Sequence, residues 1–535
     1  VLGQKLPIKI FIRVIFLQLG SIPKQYSMNL SLLDLISFGG FILLVILISL
    51  YMSRKEKSTE DYFLAGRGLS WGLIGFSLIA SNISTEHFVG MAGRGFELGL
   101  AIASYEWMAA VTLVVVALVF LPRFLKAGIY TIPEYLEYRY SSATRTLMAI
   151  FMLVAYLVVA LASVLYSGAL ALEAIFDLPL VQGIWLIGLL AGIYTVYGGL
   201  KAVVWSDLLQ GVALLLGGVF VTVLAFHEIG GIGVFLEKAE PKLHTVLPWN
   251  HPEMPWLAVF IGGMWIPNLF YWGLNQFITQ RSLAAKSLVH GQQGIMFAAF
   301  IKLFIPFIIV FPGIIAFELY GEGISNPDQA YPYLIKMLLP EGIKGIMLAA
   351  LFGAVMSSLD SMLNSAATIF TMDLYRKYLN PSSNSQKLVR IGRYATAVLV
   401  VLACLWSPVI SRFESVFSYI QMIWGFISPG IVAVFIWGIV SPRIPARAAL
   451  TAMILNIPIY GALLWLLPEV AFLHHMMITF LILSVFIGLI TKFSANQERR
   501  IIPIRPELDL ETAPKIKWMG AGIVLLTILL YLLFF

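Results

Sequence analysis

SLIASNISTEHFVG, residues 77–90, follows the apolar run WGLIGF and has the composition of a membrane helix in progress, yet it carries Asn82, Ser84, Thr85, Glu86 and His87 at its middle. Polar atoms in hydrocarbon cost free energy unless the protein satisfies them. A helix that accumulates so many therefore lines a cavity, opens its backbone, or does both.

The surrounding composition says which solvent this helix meets. The chain has 535 residues, of which 60% are hydrophobic and 12% charged, and its mean hydropathy is +0.90. Apolar runs of about twenty residues, enough to cross about 30 Å of hydrocarbon, recur along it. This excludes a soluble all-α bundle and predicts an all-α membrane protein. The single cysteine, Cys404, lies in the apolar run VLVVLACLW and leaves no intramolecular disulfide possible. The net charge of +7 raises nucleic acid or anionic lipid as partners, but the basic residues sit mostly in short loops, as topology alone requires. We expect the lipid bilayer as a partner and no nucleic acid.

Reading apolar runs against Pro, Gly and charge gives about fourteen spans, near 31–52, 71–90, 97–122, 146–176, 180–197, 203–227, 256–279, 294–318, 343–374, 391–411, 415–438, 447–466, 470–491 and 517–535. If the first loop is cytoplasmic, the inward loops hold twenty-four Lys and Arg, Arg281 and Lys286 among them, against six outward. The positive-inside rule then places both termini outside, in a multi-pass protein of a cell membrane such as a bacterial inner membrane. Residues 1–27 fit this scheme poorly, since Lys5, Lys9, Arg13 and Lys24 fall on the wrong side. We read them as a disordered or upstream tail and residues 28–535 as the transmembrane domain.

Two spans look broken. One is 71–90; the other, 256–279, holds Gly262, Gly263, Pro267 and Asn268 within GGMWIPNLFYWGLNQ, and Pro267 cannot donate to a helix ladder. Gly and Pro also serve close helix packing. Paired interruptions five helices apart nevertheless predict an inverted five-plus-five repeat, with core repeats near 71–227 and 256–438 and a binding site at the breaks.

These residues resemble a known family. STEDYFLAGRGLSWG at 58–72, SLIASNISTEHFVGMAG at 77–93, GLAIASYEWM at 99–108, YGGLKAVVWSDLLQ at 197–210, NLFYWGLNQFITQRSLAAKS at 268–287, MSSLDSMLNSAATIFTMDLY at 356–375, and SYIQ with SPGI at 418–431 are similar to the sodium/solute symporters, in their sodium/glucose branch. The resemblance implies sodium-coupled symport of a glucose- or galactose-like sugar, no enzymatic activity, and a sugar site at Asn82, His87, Glu106, Asn268, Lys302 and Gln421 with Tyr271 and Trp272 beside it. Glu106, Lys302 and Gln421 each stand alone in an apolar span, which is itself a functional signal. A buried Glu106–Lys302 pair could instead only staple helices. His87 and Ala109 differ from the glutamine and serine of galactose-carrying members, so the particular sugar stays open.

The resemblance further implies Na+ as the coupling ion, held by the carbonyls of Ala80, Ile83 and Ala354 and the hydroxyls of Ser357 and Ser358. Ser357 and Ser358 lie at i+3 and i+4 from Ala354 on one helix, and a hard cation suits such neutral oxygens. A second sodium at Asp207, Asp360 and Ser361 is a further expectation, with proton binding or helix capping as alternatives for Asp360. Rival substrates are myo-inositol, sialic acid or an amino acid. A non-transporting sugar sensor is a rival function, and no HExxH or GxSxG motif suggests an enzyme.

Overall fold

The computed structural model describes residues 31–53, 58–176, 178–324, 326–413, 416–494, 502–503 and 511–535. The tail expected for residues 1–27 lies outside them.

Helix α1 (Leu32–Ser53) precedes the short α2 (Thr59–Leu64). A first set of crossings follows: α3 (Trp71–Asn82) leads across a break into α4 (Ala92–Leu98), then come α5 (Ser104–Val115), α6 (Ser142–Ala155) running into α7 (Ala162–Phe176), and the 50-residue α8 (Leu180–Ile229). The second set has α9 (Trp265–Leu269) and α10 (Gln276–Leu283) as its broken first member, then α11 (Leu288–Tyr320), α12 (Ile343–Ile369), α13 (Ser385–Trp406), and α14 (Val416–Gly425) bent by 44° into α15 (Ser428–Val440). Helices α16 (Ala446–Leu466), α17 (Phe472–Lys492) and α18 (Pro514–Leu533) complete the described residues. Among the described residues eleven helices are long and apolar enough to cross a membrane, twelve with the bent pair, against the fourteen expected; Trp71–Asn82 and Leu180–Ile193 are apolar but shorter.

The spans read at 180–197 and 203–227 are two helical stretches of α8 that meet at a kink at Gly199 (φ 53°, ψ −165°). Only glycine adopts that backbone at little cost, so the paired glycines permit the bend without a loop. In the second broken helix, Pro267 is the third residue of α9, where its missing N–H is one of the orphan donors of a helix start. The span is interrupted on either side of Pro267: over residues 261–264, which include Gly262 and Gly263, and at Asn275 (φ −86°, ψ 124°), after a π-helical turn over Phe270–Leu274.

Burial sorts the helices. In the most apolar stretch around α12, 94% of residues are buried inside the protein, against 17% in α1, so α12 is central and α1 faces lipid. The sequence of α12 explains its place: its glycines and alanines let other backbones approach closely. A Cβ on Gly345 would lie 2.2 Å from the Asp34 carbonyl oxygen, and one on Gly353 would lie 2.7 Å from the Gln210 side chain. The Asp34 carboxylate accepts the N–H groups of Gly342 (2.7 Å) and Gly345 (3.0 Å), so α1 caps the N-terminus of α12.

The loops gather at two ends. At one, Arg67 donates to the carbonyls of Gly128 (3.1 Å), Ile129 (3.1 Å) and Leu283 (3.3 Å), while the buried Arg145 pairs with Asp373 (2.6 Å) and Glu137 (2.7 Å). Helix α2 plugs this end: the Tyr62 hydroxyl donates to the Val196 carbonyl (3.1 Å), and Gln280 donates to the Phe63 carbonyl (2.6 Å). At the other end lie Arg94 with Glu253, Lys242 on the Phe96 carbonyl (2.8 Å), and the Thr245 N–H on the Phe534 carbonyl (2.8 Å).

Candidate functional site

The site grows from the break in α3. Its last turn ends at Ile83, whose φ −78° and ψ 100° carry the chain out of the helix; a π-helical turn over Glu86–Met91 resumes it. Ser84 eases the restart, its Oγ accepting the Glu86 N–H at 3.1 Å. The break leaves the final carbonyls of α3 without intrahelical donors, and these carry the partial negative charge of a helix C-terminus.

Helix α12 answers those carbonyls with hydroxyls. Ser357 Oγ donates to the Ala80 carbonyl and Ser358 Oγ to the Ser81 carbonyl, each at 3.3 Å. Ala80, Ile83, Ala354, Ser357 and Ser358 are all buried. A helix end rich in carbonyls facing two adjacent hydroxyls fits a hard monovalent cation, which takes neutral oxygens and no soft ligand. Helix α8 holds α3 in place here, since a Cβ on Gly211 would lie 2.7 Å from the Ala80 Cβ.

On the other side of the same break is a polar cluster. Lys302, fully buried on α11, donates to Glu106 of α5 and to Asn82 Oδ1 of α3. Asn82 Nδ2 donates to the Tyr271 hydroxyl at 3.0 Å, and His87 Nε2 lies 3.5 Å from Glu106. The Lys302 ammonium sits 4.8 Å from the Trp272 ring centroid. Six of the expected substrate residues thus meet, offering amide, imidazole, carboxylate, ammonium and phenol beside aromatic faces. Such a set can replace the water around a polyol and cover its ring. Asn268 stays apart, donating to its own-helix Met264 carbonyl at 3.0 Å. Gln421, partly exposed on α14, bonds to none of the cluster.

Residues 62–456 match the Sodium:solute symporter family. The chain belongs to that family. It is similar to a sodium/glucose cotransporter of Vibrio parahaemolyticus, with 43% identity over 490 residues that cover 86% of this chain and 90% of that one. It is also similar to a sodium/myo-inositol cotransporter 2 of Oryctolagus cuniculus, with 34% identity over 462 residues covering 78% and 67%. Its fold is like that of a Na+-coupled sialic acid symporter in a substrate-bound outward-open state: TM-score 0.80, 22% identity, 88% of this chain and 99% of that one. Na+ is therefore the coupling ion of this symporter.

The remaining expected cation ligands divide into two groups. Asp207, on α8, accepts from Arg281 (3.0 Å), Ser81 (3.1 Å), Ser77 and Ser357, and Arg281 also donates to Ser77 (2.6 Å), Ser81 and Ser361. Arg281, read from sequence as a loop cation, is fully buried on α10 because Asp207 neutralises it. Asp360 turns away from this network. Its Oδ1 accepts from Thr195 Oγ1 at 2.5 Å, and its Oδ2 has no hydrogen-bond partner among the described residues. Asp360 and Ser361 thus have different partners: Asp360 meets Thr195, whereas Ser361 meets Ser81 and Arg281.

Sequence reasoning missed Ser77, Ser81, Arg281 and Thr195. A signal existed for two of them: Ser77 and Ser81 stand four apart on α3 as Ser357 and Ser361 do on α12, and each pair shares one helix face.

Proposed function

We propose that this symporter moves a sugar of glucose or galactose type together with sodium across a membrane by alternating access. The carrying observation is that one break in α3 serves both sites: the Ala80 and Ser81 carbonyls face the hydroxyls of Ser357 and Ser358, and the next side chain, Asn82, bonds to Lys302 and Tyr271. Sodium takes Ala80, Ile83, Ala354, Ser357 and Ser358, with Ser81 adjoining. The sugar takes Asn82, His87, Glu106, Tyr271, Trp272 and Lys302, and Asn268 and Gln421 join when the cavity closes on it.

The network around Asp207 positions α3 rather than holding a second sodium, because a cation at Asp207, Asp360 and Ser361 would have to displace Arg281. The coupling ratio is then one sodium per sugar, read from the reversal potential of coupled transport in vesicles; a ratio of two overturns this assignment. The end built from Arg67, Arg145 and Lys286 faces the cytoplasm of a bacterial cell, which leaves both termini outside. Similarity to a sodium/myo-inositol cotransporter favours a cyclic polyol as the second reading.

The test is uptake into proteoliposomes of labelled glucose, galactose, myo-inositol, sialic acid and an amino acid, with and without an inward sodium gradient. A hexose concentrated only with the gradient is expected. Gradient-driven uptake of the amino acid alone, or hexose uptake indifferent to sodium, overturns the reading.

A further inference from the structure

Beside the transport path, on the lipid-facing surface, α11, α18 and the start of α3 enclose a cavity of about 430 Å³. Phe297, Phe300, Met519, Ile523 and Leu526 line it with Trp71, and Gly522 opens its floor. Trp71, Phe300, Met519 and Leu526 remain 40–44% exposed, so the cavity is open to the bilayer rather than sealed. A Cβ on Gly522 would meet nothing within 4 Å.

Basic residues stand near one end of the cavity. The Trp71 backbone N–H donates to His290 Nδ1 at 3.2 Å, and the charged neighbours of His290 are Lys286 and Lys515. Both lysines are exposed, and neither forms a salt bridge among the described residues. Lys517 and the 78%-exposed Trp518 follow Lys515 on α18. Apolar walls with basic groups and tryptophans at one end are what the interface of a bilayer demands of a lipid site: acyl chain in the groove, anionic headgroup on the lysines, indoles at the boundary.

We propose that this groove binds one anionic phospholipid, its phosphate held by Lys286 and Lys515. The site touches the transport machinery through Phe297. That ring lies edge-on to Trp71 at 5.7 Å between centroids and 5.1 Å from the Phe76 ring, and it closes over Gly75, where a Cβ would come within 2.5 Å of it. An acyl chain behind Phe297 presses it onto α3, the helix that lends Ala80 to sodium. The bound lipid therefore stabilises the α3–α11 seam on which the sodium site stands.

The experiment is native mass spectrometry of the purified full chain in detergent, titrated with phosphatidylglycerol or with phosphatidylcholine of the same acyl chains. Each surface lysine contributes about fivefold to anionic-lipid binding, so a preference for phosphatidylglycerol of about 30-fold is expected, lost in K286Q/K515Q. G522F, whose ring enters open space, should lose the bound lipid while keeping the thermal unfolding midpoint measured for the wild-type chain in lipid-free detergent. Excess inorganic phosphate should not displace the lipid, since the groove supplies the rest of the affinity. Equal retention of the two lipids by the wild-type chain, a preference undiminished in K286Q/K515Q, retention by G522F, or displacement by phosphate each overturns the proposal.

Discussion

Replacing Lys302 by methionine separates the two things its ammonium could do. It is fully buried, its partner Glu106 has a side chain only 5% exposed, and it also supplies Asn82 Oδ1. Without it, the Glu106 carboxylate keeps only His87 at 3.5 Å. Breaking a buried pair by removing one member costs about 3–5 kcal/mol, a large share of the roughly 5–15 kcal/mol that holds a typical domain together. The stranded Asn82 carbonyl adds to the loss, and the vacated Trp272 face forfeits a cation–π contact worth about 0.5–2 kcal/mol. Glu106→Gln alone should cost a similar amount by stranding the ammonium. The double variant K302M/E106Q removes both charges and should recover most of the stability, because a neutral pair of similar volume carries no desolvation penalty. Thermal unfolding in detergent reads this rescue. Substrate binding in saturating sodium reads the other role: if the pair touches sugar, the double variant stays weaker by roughly 1–3 kcal/mol, or about 5–150-fold. Wild-type substrate affinity in the rescued double variant would reduce the pair to a helix staple and refute the site.

Ser357→Ala and Ser358→Ala should each raise half-saturating sodium about tenfold or more, by a lost ligand of roughly 1.4 kcal/mol, with substrate choice unchanged; uptake against sodium concentration checks it. Gly99→Ala should destabilise by about 3 kcal/mol or more, since Gly99 has φ 77° and its Cβ would lie 2.2 Å from the Lys242 carbonyl oxygen, whereas Gly488→Ala, with nothing within 4 Å, should sit within about 0.5 kcal/mol of wild type in thermal unfolding. Burial tends to raise the Glu137 carboxyl, but hydrogen bonds from Lys377 and Arg145 overcome it and hold it at about 2, against an ordinary 4.5. A lowered carboxylate stabilises above its unfolded value, so this contribution should be complete above pH 4.5 and be lost as pH falls toward 2, and the acid unfolding profile of Glu137→Gln should lack that part.

What the sequence disclosed and what it hid follow one physical line. Hydrocarbon thickness sets helix length, so the eleven to twelve long apolar spans of the described residues were legible from apolar runs alone. Glu106 and Lys302 announced themselves because a lone charge in an apolar span is a functional signal, and they meet in the structure. Arg281 did not: its reason for being buried is Asp207, 74 residues away, and no local spacing encodes such a pairing. The same limit hid Thr195, whose partner Asp360 is 165 positions distant. Pro267 misled for the opposite reason. A proline reads as a breaker, yet at the third position of α9 it removes a donor the helix did not use, and the interruptions lie before it, at Gly262 and Gly263, and after it, at Asn275.

Coupling has a physical seat at two consecutive residues. The Ser81 carbonyl, beside the proposed sodium ligands, faces Ser358, and the Asn82 side chain joins Lys302 to Tyr271, so any rotation of this last turn of α3 moves the proposed cation site and a proposed substrate ligand together. Asn82→Ala keeps the backbone but cuts the second connection. Substrate affinity in saturating sodium should then fall by about 5–150-fold, while sodium affinity without substrate should change by less than about twofold. The decisive quantity is the factor by which sodium tightens substrate binding, which linkage requires to equal the factor by which substrate tightens sodium. In Asn82→Ala both should shrink toward one, because ordering the turn with sodium no longer presents anything to the sugar. An undiminished factor alongside weakened substrate binding would mean that the two sites communicate elsewhere, and the Arg281 network between α3, α8 and α12 would be the remaining physical route.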